Sequence, residues 1–198
     1  MINLLPIHKV ISTIAVLYAA VACLILWCFY SPSVSVWGAL AVATGGSTVL
    51  SLGMFVLLKI YWQRLWDWFP RLNNLFFPNL NGTWEMEIHW SNNGEKGVAQ
   101  ATALITQDFL KIAMDVDSKD SESQTLMAKP KKDPESGRPA LYYVYLTTPK
   151  ENSKTSDKTP YKGAAILQIG LDDTNHLSGN YFTSRRTAGR YELSRAEI

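Results

Sequence analysis

The chain has 198 residues, 47% hydrophobic and 18% charged, with a formal net charge of +2. That sum averages two unlike parts: Lys9, Lys59, Arg64 and Arg71 outweigh Asp67 in residues 1–80, while the other 15 of 19 basic and 16 of 17 acidic side chains follow residue 80. The near-neutral C-terminal part argues against general binding of duplex nucleic acid, which needs many Lys or Arg against phosphates, and the two cysteines, Cys23 and Cys28, call for no disulfide framework.

Residues 10–58 contain no Asp, Glu, Lys, Arg or His. Spanning about 30 Å of hydrocarbon takes about twenty apolar residues in a helix, and residues 10–30 and 37–58 each reach that length. Ser31-Pro32-Ser33 separates them, because Pro32 lacks an amide donor and disfavours helix at Ser31. The pattern predicts a two-helix transmembrane hairpin over residues 1–60. Lys9 precedes the first span and Lys59, Arg64 and Arg71 follow the second, so the positive-inside rule places both termini, and everything after residue 80, in the cytoplasm. The competing reading is a cleaved lipoprotein leader at Ala20-Val21-Ala22-Cys23. It is weaker, because Leu24-Ile25-Leu26-Trp27 stays apolar where a mature lipoprotein would turn polar.

Within the second span, Ala39, Ala43, Gly46, Leu50 and Gly53 fall at three- and four-residue steps along one face, with Gly45 beside them. Small residues let helices approach closely in lipid, so Ala39, Ala43, Gly46 and Gly53 form a candidate assembly face, used either within one hairpin or between chains. Residues 61–80 form an aromatic interfacial segment and connector, Tyr61-Trp62-Gln63-Arg64-Leu65-Trp66-Asp67-Trp68 being typical of the headgroup zone.

Residues 81–198 read as short strands of period two separated by polar turns. Trp84, Met86, Ile88 and Trp90 share one face, with Glu85, Glu87 and His89 opposite, and Asn92-Asn93-Gly94 marks a turn. Seven further strands follow, at residues 99–106, 109–116, 123–128, 140–148, 163–171, 177–184 and 188–194. Eight antiparallel strands predict a closed up-and-down β-barrel, which removes exposed edges and has room for side chains or one small ligand; a β-sandwich is the alternative. In an up-and-down barrel both termini leave from one end. That end would face the membrane together with the loop carrying Lys129, Lys131, Lys132 and Arg138. The opposite end, with residues 149–162 and Arg185-Arg186-Thr187, would face the cytosol, where Lys150, Lys154, Lys158 and Lys162 give it positive potential.

Gly82-Thr83-Trp84 resembles the Gly-x-Trp that closes the bottom of lipocalin barrels. In that family a late arginine stacks on the tryptophan, and Arg195 stands at the matching end of the last strand. A lipocalin-like barrel closed at the tethered end and open at the other follows from this resemblance.

In the seventh strand Leu177, Gly179, Tyr181, Thr183 and Arg185 share a face with the better claim to the interior. An aromatic ring, a hydroxyl and a guanidinium near the mouth suit a nucleotide, the ring for base stacking and the others for phosphate. Arg186 adjoins this set. Tyr143 and Tyr145 are candidates for a facing wall, although the parity of the fifth strand is open.

The two spans, the Phe77-Pro78-Asn79-Leu80-Asn81-Gly82-Thr83-Trp84 lead-in and the segment Leu177-Ser178-Gly179-Asn180-Tyr181-Phe182-Thr183-Ser184-Arg185-Arg186-Thr187-Ala188-Gly189, taken in order, resemble the two-transmembrane, β-strand-rich effectors of bacterial CBASS anti-phage systems. The resemblance implies that a partner nucleotidyltransferase, activated by infection, supplies a cyclic dinucleotide to the barrel. Binding would then drive homo-oligomerisation of the helices in the phospholipid inner membrane and disrupt it, in a logic similar to that of STING. Tyr181, Thr183, Arg185, Arg186, Tyr143 and Tyr145 are the residues expected to hold the ligand.

A membrane-tethered carrier of a lipid or other apolar ligand is the main rival; an inward, unpaired Arg185 would count against it. A purely structural anchor is the other, and would need a barrel filled by its own side chains. Catalysis has little support: His89 and His176 stand alone, no metal-spaced Cys or His cluster occurs, and no Gly-x-Ser-x-Gly or phosphate-loop glycine pattern exists. No metal or cofactor is expected.

Overall fold

The structure is a computed structural model that describes residues 7–29, 35–61, 64, 68, 77–92, 94–108, 111–133, 135–153, 157–170 and 173–196. Two helices come first, α1 (Ile7–Phe29) and α2 (Val36–Lys59). Ser35 caps α2 by accepting the amide of Gly38 at 3.2 Å. The Ser31-Pro32-Ser33 break lies outside the described residues. The hydroxyls of Thr44, Ser47, Thr48 and Ser51 each donate to a carbonyl three or four residues back, which satisfies them without water.

A hydrogen bond between Tyr18 and Ser51 joins the helices, and Gly46, Ser47 and Leu50 border the cleft against Tyr18, Ala19 and Ala22. Gly46 of the small-residue face is therefore turned to α1 of the same chain. At Gly45 and Gly53 an added Cβ would meet nothing within 4 Å, and the side chains of Ala39 and Ala43 lie outside those described. Among the described residues no helix is long and apolar enough to cross a membrane. The crossing expected from residues 10–58 thus rests on the sequence.

The eight strands are β1 (Gly82–Asn92), β2 (Glu95–Gln107), β3 (Ile112–Ser118), β4 (Ser121–Lys132), β5 (Pro139–Pro149), β6 (Tyr161–Ile169), β7 (His176–Thr183) and β8 (Ala188–Arg195). Each pairs antiparallel with the next, and β8 pairs with β1 to close an up-and-down barrel. The parity of β1 is as expected, with Trp84 and Met86 buried. In β5, where the sequence left parity open, Leu141, Tyr143, Tyr145 and Thr147 point inward and Tyr142 outward.

β4 departs most from expectation, running on to Lys132 through Pro130. A bulge between Thr125 and Met127 separates its two halves, and its registered pairs with β3 are Val116 with Ser123 and Asp117 with Glu122. Just beyond these the Thr125 hydroxyl takes the place of a strand partner, accepting from the Met114 amide at 2.8 Å and donating to the Met114 carbonyl at 2.7 Å. Past the bulge β4 pairs with β5, and on such an edge the missing amide of Pro130 is tolerated.

The base of the barrel is sealed by its own lead-in. Phe77 and Leu80 are fully buried, and Gln107 holds the segment from inside: its Oε1 accepts the Leu80 amide at 2.8 Å and its Nε2 donates to the Pro78 carbonyl at 3.1 Å. Trp84 donates from Nε1 to the Leu80 carbonyl at 2.9 Å. Arg195 lies over the Trp84 ring at 4.8 Å and donates to the carbonyls of Asn81 and Asn79 at 3.0 and 2.6 Å. Gly82 enters the first strand with φ of 135°, a conformation costly for any side-chain-bearing residue.

Above this plug the lower half is filled by Met86, Ile105, Met114, Leu141, Leu167, Leu177 and Leu193, all at 0 or 1% exposure. Trp84→Ala removes the largest fully buried side chain among the described residues and the surface on which Arg195 rests, so a loss of about 3–5 kcal/mol of stability is expected by chemical denaturation.

Candidate functional site

The upper half of the barrel is built from smaller inward residues. Gly97, Ala99 and Ala101 of β2 and Gly163 of β6 take the inward positions that Ile105 and Leu167 occupy lower down. The result is a cavity of about 740 Å³ at the end opposite the plug, bordered by Tyr145, Tyr181, Tyr191, Trp90, Ile88, Ser123 and Thr147, with Lys119, Asp120, Asp157, Tyr161, Thr183 and Arg185 around the mouth. That volume is in the range of small-molecule sites.

Four large aromatics of this half stand across from a glycine on the neighbouring strand: Tyr145 opposite Gly163, Tyr181 opposite Gly189, Tyr191 opposite Gly179 and Trp90 opposite Gly97. A Cβ on Gly163 would lie 2.3 Å from Tyr145 Cζ, one on Gly97 2.5 Å from Trp90 Cζ2, and one on Gly189 2.8 Å from Tyr181 Cε1. These three rings thus lie flat along the wall over bare backbone instead of projecting across the lumen. Glycine and aromatic together keep the cavity open.

The tyrosines form a continuous ladder. Tyr143 stacks on Tyr145 at 4.8 Å, and Tyr181 stacks on Tyr191 at 4.1 Å. The hydroxyls of Tyr145 and Tyr191 join the two pairs at 2.6 Å, while the Tyr143 hydroxyl is spent on the Met114 carbonyl at 2.7 Å. One of the Tyr145 and Tyr191 hydroxyls donates to the other, so the pair holds one further O–H for an acceptor in the cavity. Ser123 and Thr147 pair their hydroxyls at 2.9 Å on the adjoining wall.

The six residues expected to hold a ligand separate into three groups. Tyr145, Tyr181, Thr183 and Arg185 border the cavity together. Tyr143 is buried beneath them as support for Tyr145. Arg186 does not reach the cavity: it is exposed in the turn between β7 and β8, at φ of 64°.

Arg185 is not the free cation that its sequence position suggested. Its Nη2 lies 2.9 Å from Asp157 Oδ2 and donates to the carbonyls of Asp157 and Thr159 at 3.0 and 2.5 Å, and its guanidinium stands 4.3 Å over the Tyr161 ring. The positive potential expected from the lysines is reduced in the same way. Lys150 pairs with Asp117, and Lys158 donates to the carbonyls of Lys150, Glu151 and Ser153; Lys162 is exposed at an outward position of β6, and Lys154 lies outside the described residues.

Trp90, Tyr161, Tyr191, Ser123, Thr147 and Asp157 are cavity residues the sequence reading missed. Alternation in β8, with Tyr191 and Leu193 on one face, held the signal for Tyr191; Asp157, in a loop, had none.

On the outer wall Glu87, His89 and Glu192 bring ligand atoms within 4.8 Å of one another, so His89 is not isolated as its sequence neighbours implied. Glu87 and Glu192 are direct cross-strand partners. Their repulsion is offset by Arg190, 2.9 Å from Glu192, and by the Gln100 amide donating to Glu87 at 2.9 Å. The cluster is a partly exposed electrostatic patch, Glu87 being exposed and His89 and Glu192 half-buried.

A family model described as the Cap15 cyclic dinucleotide receptor domain matches residues 75–195, from just before the buried Phe77 to Arg195 on the plug. The chain belongs to the Cap15 family. The matched span coincides with the closed barrel and its lead-in, and the resemblance to CBASS effectors seen in the sequence holds. A curated relative, the CD-NTase-associated protein 15 of Staphylococcus schleiferi, is 27% identical over 152 residues, covering 75% of this chain and 78% of its own.

Burial pushes the phenols of Tyr143, Tyr145 and Tyr191 well above their ordinary value and that of Tyr181 up to about 12. A raised folded-state value means a contribution to stability that is whole below the unfolded value near 10 and is lost as the pH rises through the folded one. Denaturation midpoints are therefore expected to fall as the pH rises above about 10, and ultraviolet titration should show phenolate from Tyr143, Tyr145, Tyr181 and Tyr191 only beyond that point.

Proposed function

We propose that the upper cavity binds a cyclic dinucleotide and that the chain is the effector of a CBASS anti-phage system. The observation that carries this reading is the juxtaposition, in one open-ended cavity, of stacked tyrosine faces for the bases with hydroxyls and a guanidinium for the phosphodiesters. The family to which the barrel belongs supports it, being described as a cyclic dinucleotide receptor domain. The relative's association with a CD-NTase supports a partner nucleotidyltransferase as the ligand's source.

In this reading α1 and α2 cross the bacterial inner membrane, both termini and the barrel are cytoplasmic, and ligand binding promotes homo-oligomerisation of the helices, membrane disruption and death of the infected cell. The charge-free residues 10–58 and their basic flanks support the crossing and the orientation. The open small-residue surface at Gly45 and Gly53 supports contact between chains. The chain acts as a receptor and not as an enzyme.

A carrier of an apolar ligand is the second reading. It is favoured by the balance of Lys119 and Arg185 against Asp120 and Asp157 at the mouth, and opposed by the Ser, Thr and Tyr hydroxyls on the walls. Isothermal calorimetry of the detergent-solubilised full chain against cyclic di-GMP, cyclic di-AMP and cyclic GMP–AMP tests the first reading. Saturable binding to at least one is expected, weakened about 10- to 100-fold by Arg185→Ala. Absence of binding to every cyclic dinucleotide tried, with lipid found by native mass spectrometry of cell-purified protein, would establish the second.

A further inference from the structure

The charged residues that border the cavity itself are evenly matched. Among the described residues bordering the cavity, Lys119 and Arg185 are matched by Asp120 and Asp157, so the lining itself holds no excess of positive charge for a ligand carrying two phosphodiester charges. Arg185, its side chain 24% exposed, is the less exposed of the two cations bordering the cavity, and the carboxylate 2.9 Å from it is that of Asp157. A carboxylate and a phosphodiester present the same feature to a guanidinium, a pair of anionic oxygens that accept charge-assisted hydrogen bonds.

Resting on the cyclic dinucleotide reading, we propose that the Asp157 carboxylate marks the phosphate subsite of this cavity: it holds the Arg185 guanidinium that a ligand phosphodiester takes over, and binding releases residues 157–159 from the rim.

The geometry favours exchange over simple addition. Asp157 is 59% exposed on its side chain, so on leaving Arg185 it regains water, and an ion pair this open contributes little that must be replaced. Arg185 keeps its stacking on Tyr161 at 4.3 Å, which holds the guanidinium plane in the cavity wall while its partner changes. Residues 157–159 have a local fold of their own, since Asp157 Oδ1 accepts the Thr159 amide at 2.9 Å. The segment is thus able to leave as a unit. The hydrogen bonds from Arg185 to the carbonyls of Asp157 and Thr159 would be lost in the same step, making the position of this rim segment a direct report of an occupied subsite.

Asp157→Asn in the full chain removes the competing charge and keeps an acceptor for the Thr159 amide. Calorimetry with the same three cyclic dinucleotides is expected to show binding about two- to fivefold tighter than wild type, with the gain reduced at high salt and abolished on an Arg185→Ala background. Asp157→Ser, carrying the same loss of charge on a smaller side chain, is expected to behave alike, and thermal melts establish that each variant is folded. Hydrogen exchange at residues 157–162 is expected to rise on ligand addition to the wild type and to be raised already in unliganded Asp157→Asn.

Binding by the wild type with unchanged or weaker affinity in both folded variants would overturn the subsite while leaving the receptor reading intact. Failure of the wild type to bind any of the three would overturn both.

Discussion

Closure of β1 on β8 is the constraint on which the rest depends. Pairing Trp84 with Arg195 across that seam fixes the register of the last strand, and with a side-chain period of two a register fixes which residues face inward. Once Trp84 faces the interior, the same count brings Met86, Ile88 and Trp90 inward along β1 and Tyr191 and Leu193 inward along β8. The seam also places Arg195 where it can cover Trp84 and take the carbonyls of residues 79 and 81. One contact thereby closes the sheet, seals its base and orients the lining of its mouth.

The barrel is chemically asymmetric along its axis. Its base is filled by branched and sulfur-bearing side chains over a plug held by Gln107. Its mouth pairs aromatics with glycines so that rings lie along the wall. Both halves use the same strands, and the difference lies in side-chain volume at successive inward positions, as in β2 from Gly97 through Ala101 to Ile105. A receptor needs both: the packed half supplies the stability that lets the other half stay hollow, because an apolar void forfeits contacts and weakens the fold around it. Four hydroxyls of the hollow half are paired among themselves, Tyr145 with Tyr191 and Ser123 with Thr147, which limits the cost of burying them without a ligand.

Charge at the mouth follows a different logic from charge on the outer wall. Outside, cross-strand carboxylates are offset by nearby Arg190 and Gln100, as befits a solvated surface. At the mouth, cations are held by carboxylates and carbonyls of the rim itself: Arg185 by Asp157 and Thr159, Lys150 by Asp117, Lys158 by three carbonyls. Carboxylates offset the charges of Arg185 and Lys150, while the carbonyls around Lys158 fix its position without cancelling its charge.

The sequence by itself determined the division into a charge-free helical part and a strand-rich part, the number of strands, the closed meander, the plug with Trp84 and Arg195, and the inward face of β7. Apart from Arg195 on Trp84, which the resemblance to lipocalin barrels implied, these follow from periodicity and turn chemistry, which act over a few residues. It left β5 open because Tyr142, Tyr143, Val144 and Tyr145 are apolar or aromatic on both faces, and pairing with β4 and β6 decided that Tyr143 and Tyr145 point inward. Tertiary structure alone put Tyr191 and Trp90 beside Tyr145 and Tyr181, drew Glu87, His89 and Glu192 together, left Arg186 off the cavity lining and gave Arg185 a partner in Asp157. Each of these is a contact across strands or between a loop and a distant turn. Local pattern says which way a side chain points; only the closed register says what it meets.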